Sequence, residues 1–392
     1  MKILVISSYL PYPLHSGGNI RLFNLIKNLQ KEHEITLVCE KRNFQTQKDI
    51  DEVSRICRKV IVFDRPKAWS PRNILKAIFS LNSILLISHT YKKFAEIIAD
   101  ELKNGNFDLI HVETFYVMQN LPKTNTPIVL AEHNVEYIVY GRYAKNAPLY
   151  LRPAIYFDML KLRRVEKNSW KRAKKVIAVS KEEIKIIGEN TELVPNGVNI
   201  EKFEMKKSLS KGAKTVLFIG NFKWIQNRDS SVYIIKNIWP NIVSKTKNFK
   251  VKLWIVGKNI PDSIKRLQTE SIIFDENAPD ETELIFQKAD VLLAPIRVGG
   301  GTSFKILESM ATGIPVITSP LGNEGINAAD GSQIIIAKKP AEFARKTVAL
   351  LEDDYLYEKI ARNGRKFIEE NYDWKKIARK LDKIYKDVVL KL

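Results

Sequence analysis

The stretch KADVLLAPIRVGGGTSFKILESMATGIPVITSP, Lys288–Pro320, decides the fold because it contains a strand, a glycine turn, a helix and a second strand in immediate succession. The runs Val291–Ile296 and Ile314–Ile317 are short and apolar, as buried strands are, and apolar residues at helical spacing lie between them. Three consecutive glycines, residues 299–301, separate the first strand from the helix. The pattern predicts a βαβ unit whose loop is open to a ligand.

The start of this helix has the features of an anion site. Gly300 and Gly301 carry no Cβ, so the backbone can approach a bound group closely, and Thr302 or Ser303 can cap the helix. Free N–H groups and the positive end of the helix dipole point to the same place. Lys305 and Glu308 lie on the polar side of the helical wheel, where periodicity alone leaves Glu308 open as a solvated surface acid or a ligand contact.

The rest of the chain alternates strand and helix patterns in two similar halves, which predicts an α/β fold with mainly parallel sheets. Ser180 and Glu183 form a Ser-x-x-Glu capping box at the start of one of the helices. Residues 205–214 are polar and contain a glycine, so we place the domain linker there. The predicted strands are Lys2–Ser8, Glu34–Glu40, Lys59–Asp64, Asp108–Val112, Pro127–His133 and Lys175–Ser180 in the first half, then Thr215–Gly220, Phe249–Gly257 and Ser271–Asp275 in the second.

The segment Glu308–Val316, ESMATGIPV, resembles the second half of the signature of glycosyltransferase family 4, the retaining sugar-nucleotide transferases. Residues 195–198, Pro-Asn-Gly-Val, also resemble a family motif at the end of the N-terminal domain. The resemblance implies the GT-B fold, in which two Rossmann-like domains face each other across a cleft and the C-terminal helix crosses back. The implied domains are residues 1–205 with 373–392, on the acceptor side, and residues 206–372, which bind the nucleotide sugar.

The resemblance also implies roles for individual residues. Glu308 would hold the ribose hydroxyls of the donor, whereas the signature's first Glu, which touches the donor sugar, is replaced by Gly300. His133, in AEHNVEY, is similar to the family's strand-end histidine near the reacting carbon, and we predict it to be the catalytic residue. His111 is the second candidate, ranked lower because it lies within its strand. The predicted donor-binding residues are Gly18, Lys223, Gly300, Gly301, Thr302, Ser303, Lys305 and Glu308.

Two departures from the family concern the donor diphosphate. The family often carries an Arg and a Lys after the first strand of the second domain, and this chain has Asn221 and Gln226 there. Lys223, Arg228 and Lys305 are candidate replacements. Near Gly18, Arg21 is a cation in a first helical turn, which suggests either a bound anion or a plain exposed side chain.

The net charge of +20 favours anionic partners. The basic helix pattern Lys161–Lys175 and the aromatic segment Trp69–Phe94 each suggest a solvated or core helix, or contact with an anionic membrane surface. Nucleic acid is not expected, because the charge comes without a stacking motif, zinc spacing or helix-turn-helix pattern. The absence of a signal-peptide pattern, and two cysteines without metal spacing, favour a cytoplasmic location. The resemblance and the basic charge together suggest peripheral binding at the cytoplasmic face of the membrane as a further possibility.

The resemblance therefore implies a metal-independent retaining glycosyltransferase and, together with the basic charge, one that acts in surface-polysaccharide or lipopolysaccharide assembly. Its donor would be a nucleotide sugar, UDP- or GDP-linked, its acceptor a glycan or a lipid-linked saccharide, and it would need no cofactor. No Asp-x-Asp lies in a loop suited to a divalent ion. The alternative is a non-catalytic protein of the same fold that binds a nucleotide sugar, since the first signature Glu and the Arg/Lys pair are missing.

Overall fold

A computed structural model describes residues 1–66, 71–206, 208–246, 248–279, 281–298 and 301–390. The chain divides into two compact units, and each is built around one parallel sheet. Unit 1 comprises Met1–Pro195 and Ile377–Leu392, and unit 2 comprises Asn196–Lys376.

In the described part of unit 1 the sheet has seven strands in the order β3-β2-β1-β4-β5-β6-β7. Every neighbouring pair is parallel, and the strands read as almost continuous apolar runs because helices cover both faces. The core beneath the helices includes Leu4, Val38, Ile110 and Leu130. The strands are β1 Lys2–Ser7, β2 Glu34–Lys41, β3 Lys59–Asp64, β4 Leu109–Glu113, β5 Ile128–Glu132, β6 Lys175–Ala178 and β7 Thr191–Leu193.

The helices of unit 1 are the crossovers that a parallel sheet requires. The capping box of Ser180 and Glu183 is confirmed at the start of helix α8. Residues 71–105 form three separate helices, and Ser83 caps the short middle one. The helices are α1 Gly17–Leu29, α2 Gln47–Ser54, α3 Pro71–Phe79, α4 Ile84–Ile87, α5 Lys92–Gly105, α6 Glu136–Asn146, α7 Arg152–Arg172 and α8 Lys181–Ile187, with a 3-10 helix at Phe115–Asn120.

The described part of unit 2 repeats the design with six parallel strands in the order β10-β9-β8-β11-β12-β13. Its strands are β8 Lys214–Ile219, β9 Val251–Val256, β10 Ile272–Asp275, β11 Val291–Ala294, β12 Val316–Thr318 and β13 Ile335–Ile336. Its helices are α9 Ile225–Tyr233, α10 Trp239–Val243, α11 Asp262–Lys265, α12 Thr282–Gln287, α13 Phe304–Ala311, α14 Pro320–Asn323, α15 Pro340–Glu352 and α16 Asp354–Asn371, with a π-helical turn at Ile234–Ile238. Helix α17 Trp374–Leu390 begins in unit 2 and belongs to unit 1 from Ile377 onwards.

The division between the units differs from the predicted bounds of 1–205 with 373–392 and 206–372. Residues 205–214, predicted as the linker, pack within unit 2 instead. The Lys206 N–H donates to Thr312 O at 2.8 Å, its Nζ lies 2.8 Å from Asp290 Oδ1, and Leu209 is buried in the core. The first unit therefore ends at Pro195, and it regains the C-terminal helix from Ile377 onwards.

No helix in the described ranges is both long enough and apolar enough to cross a membrane.

Candidate functional site

Both sheets reverse their strand order at one point, and the predicted site residues gather at the carboxyl ends of the strands there. In unit 1 the reversal lies between β1 and β4, and in unit 2 between β8 and β11. Open α/β sheets bind ligands outside the carboxyl ends of the strands at such a point, because the loops on either side diverge and leave a crevice.

In unit 2 the loop before helix α13 is held by a close backbone contact. A Cβ on Gly325 would come within 2.6 Å of Gly301 C and 2.8 Å of Thr302 N, so only glycine lets these segments approach. Thr302 Oγ1 donates to Gly325 O at 3.1 Å, and Gly301 has a positive φ of 78°. Ser303 occupies the N-cap position without a capping hydrogen bond from its side chain. Neither predicted capping bond forms, because the Thr302 hydroxyl is used to fix the loop.

Lys305 is the second residue of this helix, and its side chain joins the helix to the loop after β8. Its Nζ donates to Asn227 Oδ1 at 2.8 Å and stands 4.6 Å from the centre of the Phe218 ring. Asn227 in turn donates to Asn221 O at 2.8 Å. Burial lowers the pKa of Lys305 to about 7, although the charge of Glu308 acts against that shift. A bound diphosphate would supply the negative charge that this ammonium group lacks.

Glu308 is half-buried, so the interpretation of a solvated surface acid is wrong. Burial raises its pKa to about 7, while the charge of Lys202 and a hydrogen bond from Thr282 act in the opposite direction. A partly buried carboxyl group with a pKa near neutrality marks a candidate functional site. Lys305 and Glu308 are one turn apart and present opposite charges on the same helix face.

The other predicted diphosphate contacts are less well placed. Lys223 is exposed in the loop after β8, where its N–H donates to Asn221 Oδ1 at 3.0 Å, and the Arg228 guanidinium donates to Phe222 O in its own loop. Arg297, which we did not single out from the sequence, pairs with Asp229 at 2.6 Å and stacks on Tyr233. Gly300 lies outside the described residues. Of the three candidate cations, only Lys305 is part of the packed loop arrangement.

In unit 1, His133 directly follows β5 and is held by a buried acid. Its Nε2 lies 2.6 Å from Oε1 of Glu113, the last residue of the neighbouring strand β4. Glu113 is 0% exposed and His133 20% exposed. Burial raises the pKa of Glu113, but the charges and hydrogen bonds of His133 and His111 outweigh it and hold that pKa well below its usual range. The carboxylate therefore occupies Nε2 and leaves Nδ1 as the ring nitrogen available to a ligand.

Glu113 is the functional residue that sequence reasoning missed. The available signal was its position, because it ends an apolar strand next to the strand that carries His133. His111 is buried at the back of this cluster, with Nε2 2.7 Å from Glu113 Oε2 and Nδ1 2.7 Å from the Tyr385 hydroxyl. It supports Glu113 and is not accessible to a substrate.

Gly18 lies beside the same histidine, since a Cβ placed on it would come within 3.1 Å of the Tyr9 hydroxyl and 3.5 Å of His133 Cε1. Helix α1 begins at Gly17 and is capped by Ser16, so Gly18 N–H belongs to its first turn. The structure therefore brings the predicted residues Gly18 and His133 together.

Both sequence interpretations of Arg21 are wrong. The side chain is 1% exposed, so it is neither a plain surface residue nor open to an external anion. Its Nη1 donates to Pro195 O at 2.9 Å, and its Nε lies 4.0 Å from Glu113 Oε1. Arg21 adds a buried positive charge beneath the Glu113–His133 pair.

Among the described residues, one group of side chains lies close enough together to share a metal ion: Glu32, His33 and Asp382. The Lys386 ammonium lies 2.7 Å from Asp382 and 3.4 Å from Glu32, and so already supplies a cation there. The group is next to the start of β2, at the opposite edge of the sheet from His133. It is not part of the candidate site.

Comparison with known proteins agrees with this architecture. Residues 15–202 match the family described as Glycosyltransferase Family 4, and residues 213–353 match Glycosyl transferases group 1. A 44.6 kDa uncharacterised protein in the cps region of Klebsiella pneumoniae is 24% identical over 94% of this chain and 95% of its own.

Solved structures share the fold at low identity. Sucrose-phosphate synthase from Thermosynechococcus elongatus superposes with a TM-score of 0.75 and 18% identity, covering 100% of both chains. HepE from Anabaena, solved in complex with UDP-glucose, gives a TM-score of 0.64 and 16% identity over 99% of this chain and 100% of that one. The two family matches cover the two units in turn, and the chain therefore belongs to the glycosyltransferases of family 4 and group 1, with the GT-B fold.

Proposed function

We propose that this protein is a retaining, metal-independent hexosyltransferase that moves a sugar from a nucleotide-sugar donor to a saccharide or lipid-linked acceptor. Unit 2 binds the donor and unit 1 carries the catalytic residue His133. The donor is UDP- or GDP-linked, in keeping with the UDP-glucose bound by the structural neighbour HepE. No cofactor is required.

The observation that carries the proposal is the pair Lys305 and Glu308 on helix α13. The two side chains are half-buried at the strand-order reversal of unit 2, and burial brings both pKa values to about 7. Lys305 can neutralise a diphosphate, and Glu308 can accept hydrogen bonds from ribose hydroxyls. The fixed backbone from Gly301 to Ser303 contributes N–H groups to the same ligand.

His133 performs its part through the ring nitrogen that Glu113 leaves available. With Nε2–H donating to the Glu113 carboxylate, Nδ1 of a neutral imidazole accepts a hydrogen bond from a hydroxyl group. A protonated ring instead donates from Nδ1 to negative charge developing on the leaving group. Either role needs the ring held in one orientation, and the buried carboxylate supplies that orientation.

Surface-polysaccharide or lipopolysaccharide assembly at the cytoplasmic face of the membrane is the proposed setting. It is supported by the basic charge, by the Klebsiella relative from a cps region and by the surface of helices α3, α6 and α7. That surface exposes large apolar side chains in residues 75–81 and 139–160, and Phe79 is 84% exposed. Exposed Lys145, Arg163 and Arg164 lie among them. Exposed apolar and basic side chains on the same helices suit an anionic lipid surface.

A thermal-shift screen against UDP, GDP, dTDP, ADP and CMP, each alone and as sugar conjugates, tests donor binding. We expect one nucleotide to stabilise the wild type, and Glu308→Ala to weaken its affinity about ten-fold or more, as loss of a charge-assisted hydrogen bond predicts. Glu358→Ala, an exposed acid on α16, is the matched control. Unchanged affinity in Glu308→Ala would refute the ribose assignment.

Turnover with the identified donor separates the enzyme from its non-catalytic alternative. We expect transfer to a glycan acceptor with retention of the anomeric configuration, measured by NMR on the first product formed. Binding of the donor without transfer in any acceptor screen would favour the non-catalytic protein, and an inverted product would refute the retaining assignment.

Membrane docking is tested by co-sedimentation with vesicles of phosphatidylglycerol or phosphatidylcholine. We expect binding to the anionic vesicles alone, weakened by salt, because each basic residue near the surface contributes about 1 kcal/mol. The triple variant Phe79→Ser, Tyr150→Ser, Phe157→Ser should bind less, and Leu284→Ser, an exposed apolar residue of unit 2, should not. Equal binding by the triple variant would refute this docking surface.

A further inference from the structure

Unit 1 contains a cavity of about 750 Å³ that extends well beyond His133. Its lining includes His133, Tyr116 and His89, and then Arg42 and Arg65. The proposed chemistry uses only the histidine, so the function of the arginine end is unassigned.

The two arginines follow neighbouring strands of the sheet. Arg42 comes directly after β2 and Arg65 directly after β3, which pair in parallel, and the Arg65 N–H donates to Lys41 O at 2.9 Å. Gln45 fixes the turn after β2, because its Oε1 accepts the Arg42 N–H at 2.9 Å and its Nε2 donates to Leu10 O at 3.1 Å. The backbones of both arginines are therefore fixed by the fold.

The strand order gives the distance between the arginines and the histidine. Arg42 follows β2 and His133 follows β5, and the order β2-β1-β4-β5 places three strand spacings between them. At about 4.8 Å a spacing, the two positions are about 14 Å apart along the carboxyl edge of the sheet. A ligand that reaches both is longer than a single sugar ring.

The arginine end has more positive charge than the nearby acid neutralises. Arg65 lies 3.4 Å from Glu40 and donates to Ser88 O at 3.2 Å. In the described ranges, the Arg42 side chain has no hydrogen bond and no ion pair within 4.0 Å. Burial, followed by the charge of Arg65, lowers the pKa of Arg42.

The acids that line or adjoin the cavity do not offset this charge fully. Burial raises the pKa of Glu40 to about 8 against the charges of Arg65 and Arg42, so much of it is protonated at neutral pH. Towards His133, burial also raises the pKa of Glu132 and of Glu136. The arginine end is therefore suited to a bound anion, and Phe44 and Leu85 supply apolar lining beside it.

We propose that Arg42 and Arg65 bind an anionic group of the acceptor, a phosphate or a sugar carboxylate. The hydroxyl that reacts at His133 is then three strand spacings, about 14 Å, from the Arg42 position and four, about 19 Å, from the Arg65 position. Calling this ligand the acceptor rests on the proposed function, whereas the anion site itself does not. The acceptor is then an anionic or lipid-phosphate-linked saccharide of more than one ring, with its charged end at Arg42.

A binding experiment with three small probes tests the site in the full chain. Phenyl phosphate represents the phosphate, phenyl β-D-glucuronide the sugar carboxylate, and phenyl β-D-glucoside is the uncharged match of the glucuronide. Affinities are measured by ligand-observed NMR for the wild type, Arg42→Gln, Arg42→Lys and Arg55→Gln. Arg55 is an exposed arginine at the end of α2 that pairs with Glu52, and its replacement makes the same change in net charge.

We expect at least one anionic probe to bind more tightly than the glucoside, and the tighter of the two identifies the group. Arg42→Gln should weaken that anion about ten-fold or more, Arg42→Lys should weaken it less, and Arg55→Gln should leave it unchanged. Equal affinity of the anions for the wild type and Arg42→Gln, or a glucoside that binds as tightly as both, would overturn the inference.

The result of this anion-binding experiment is independent of the nucleotide-binding test of the proposed transferase. Nucleotide binding that depends on Glu308, together with no Arg42-dependent anion binding, would refute this site alone. Arg42-dependent anion binding in a protein that binds no nucleotide would leave the site standing and refute the transferase.

Discussion

The affinity for the donor should depend on pH through Lys305 and Glu308, in a way that the two pKa values define. The pKa of Lys305 is lowered to about 7, so its charge, which the diphosphate needs, is lost as the pH rises above 7. The pKa of Glu308 is raised to about 7, so its carboxylate, which the ribose needs, is lost as the pH falls below 7. Affinity should therefore be greatest near pH 7 and decline on both sides.

The magnitude follows from the fraction of protein in which both groups are charged. With both pKa values at about 7 that fraction is about one quarter at pH 7, and affinity should be about eight-fold weaker at either pH 5.5 or pH 8.5. A sugar conjugate such as UDP-glucose is the ligand to use, because its diphosphate is esterified at both ends and does not titrate in this range. Isothermal titration calorimetry at fixed ionic strength measures the profile.

Single substitutions distinguish the two limbs of the pH profile, which are the decline in affinity below pH 7 and the decline above it. Lys305→Gln should lower affinity and abolish the decline above pH 7, and Glu308→Gln should abolish the decline below pH 7. Lys359→Gln, an exposed lysine on α16, should leave both limbs intact. A wild-type profile that is flat from pH 5.5 to pH 8.5, or limbs that persist in the matching variants, would show that these groups do not contact the donor.

Three further predictions concern the packing around the two sites. Glu113→Gln should lower kcat for transfer while leaving nucleotide affinity unchanged, because Glu113 holds His133 in unit 1, whereas the proposed donor contacts Lys305 and Glu308 belong to unit 2; an equal loss of nucleotide affinity would contradict that role. Gly325→Ala should weaken nucleotide binding and lower stability by about 1–3 kcal/mol in denaturant unfolding, since its Cβ would push on the backbone of Gly301 and Thr302, whereas Gly212→Ala, in open space, should change neither. Asp290→Asn should lower the free energy of unfolding by about 3 kcal/mol or more at neutral pH, because it breaks a buried ion pair with Lys206. The pKa of Asp290 is lowered, so its contribution is present above the unfolded pKa and is lost as acid titrates the folded group, and a variant as stable as the wild type at neutral pH would refute this.

The sequence predicted the fold because apolar residues in both halves recur with the periods of strands and helices, and the packed structure keeps those strands and helices. Apolar runs of four to eight residues separated by glycine turns and helical patterns indicated parallel strands, and most strand bounds differ from the structure by one or two residues. Strands β7 and β13, Thr191–Leu193 and Ile335–Ile336, were not predicted, because two or three residues are too short for any periodicity.

The sequence indicated the candidate site residues that lie together on one helix. It missed those that become neighbours only because two strands pair. Glu308 and Lys305 stand one turn apart in a recognisable motif. Glu113 and His133 are 20 residues apart and become neighbours only because β4 and β5 pair in register. Arg21 was misinterpreted for the same reason, since its partner Glu113 lies on a different strand. A single sequence contains no signal for such pairs.

The buried ionisable groups at the amino edge of unit 2 differ from some of those at the two carboxyl edges. Asp290 precedes β11 at the amino edge of unit 2, where it accepts hydrogen bonds from Lys206, Ser210 and Thr215, and its pKa is lowered despite burial. At the carboxyl edge, Lys305 and Glu40 have pKa values shifted by burial towards neutrality.

A protein interior normally neutralises a buried charge with a partner, because an uncompensated one costs several kcal/mol per ion. Full neutralisation at Asp290 is therefore what stability alone would select. Incomplete neutralisation at Lys305 and at Arg42 destabilises the free protein, and that cost is recovered only when an anion binds. The two carboxyl edges thus each retain a cation suited to an anionic ligand, which we propose to be a donor diphosphate in unit 2 and an anionic acceptor group in unit 1.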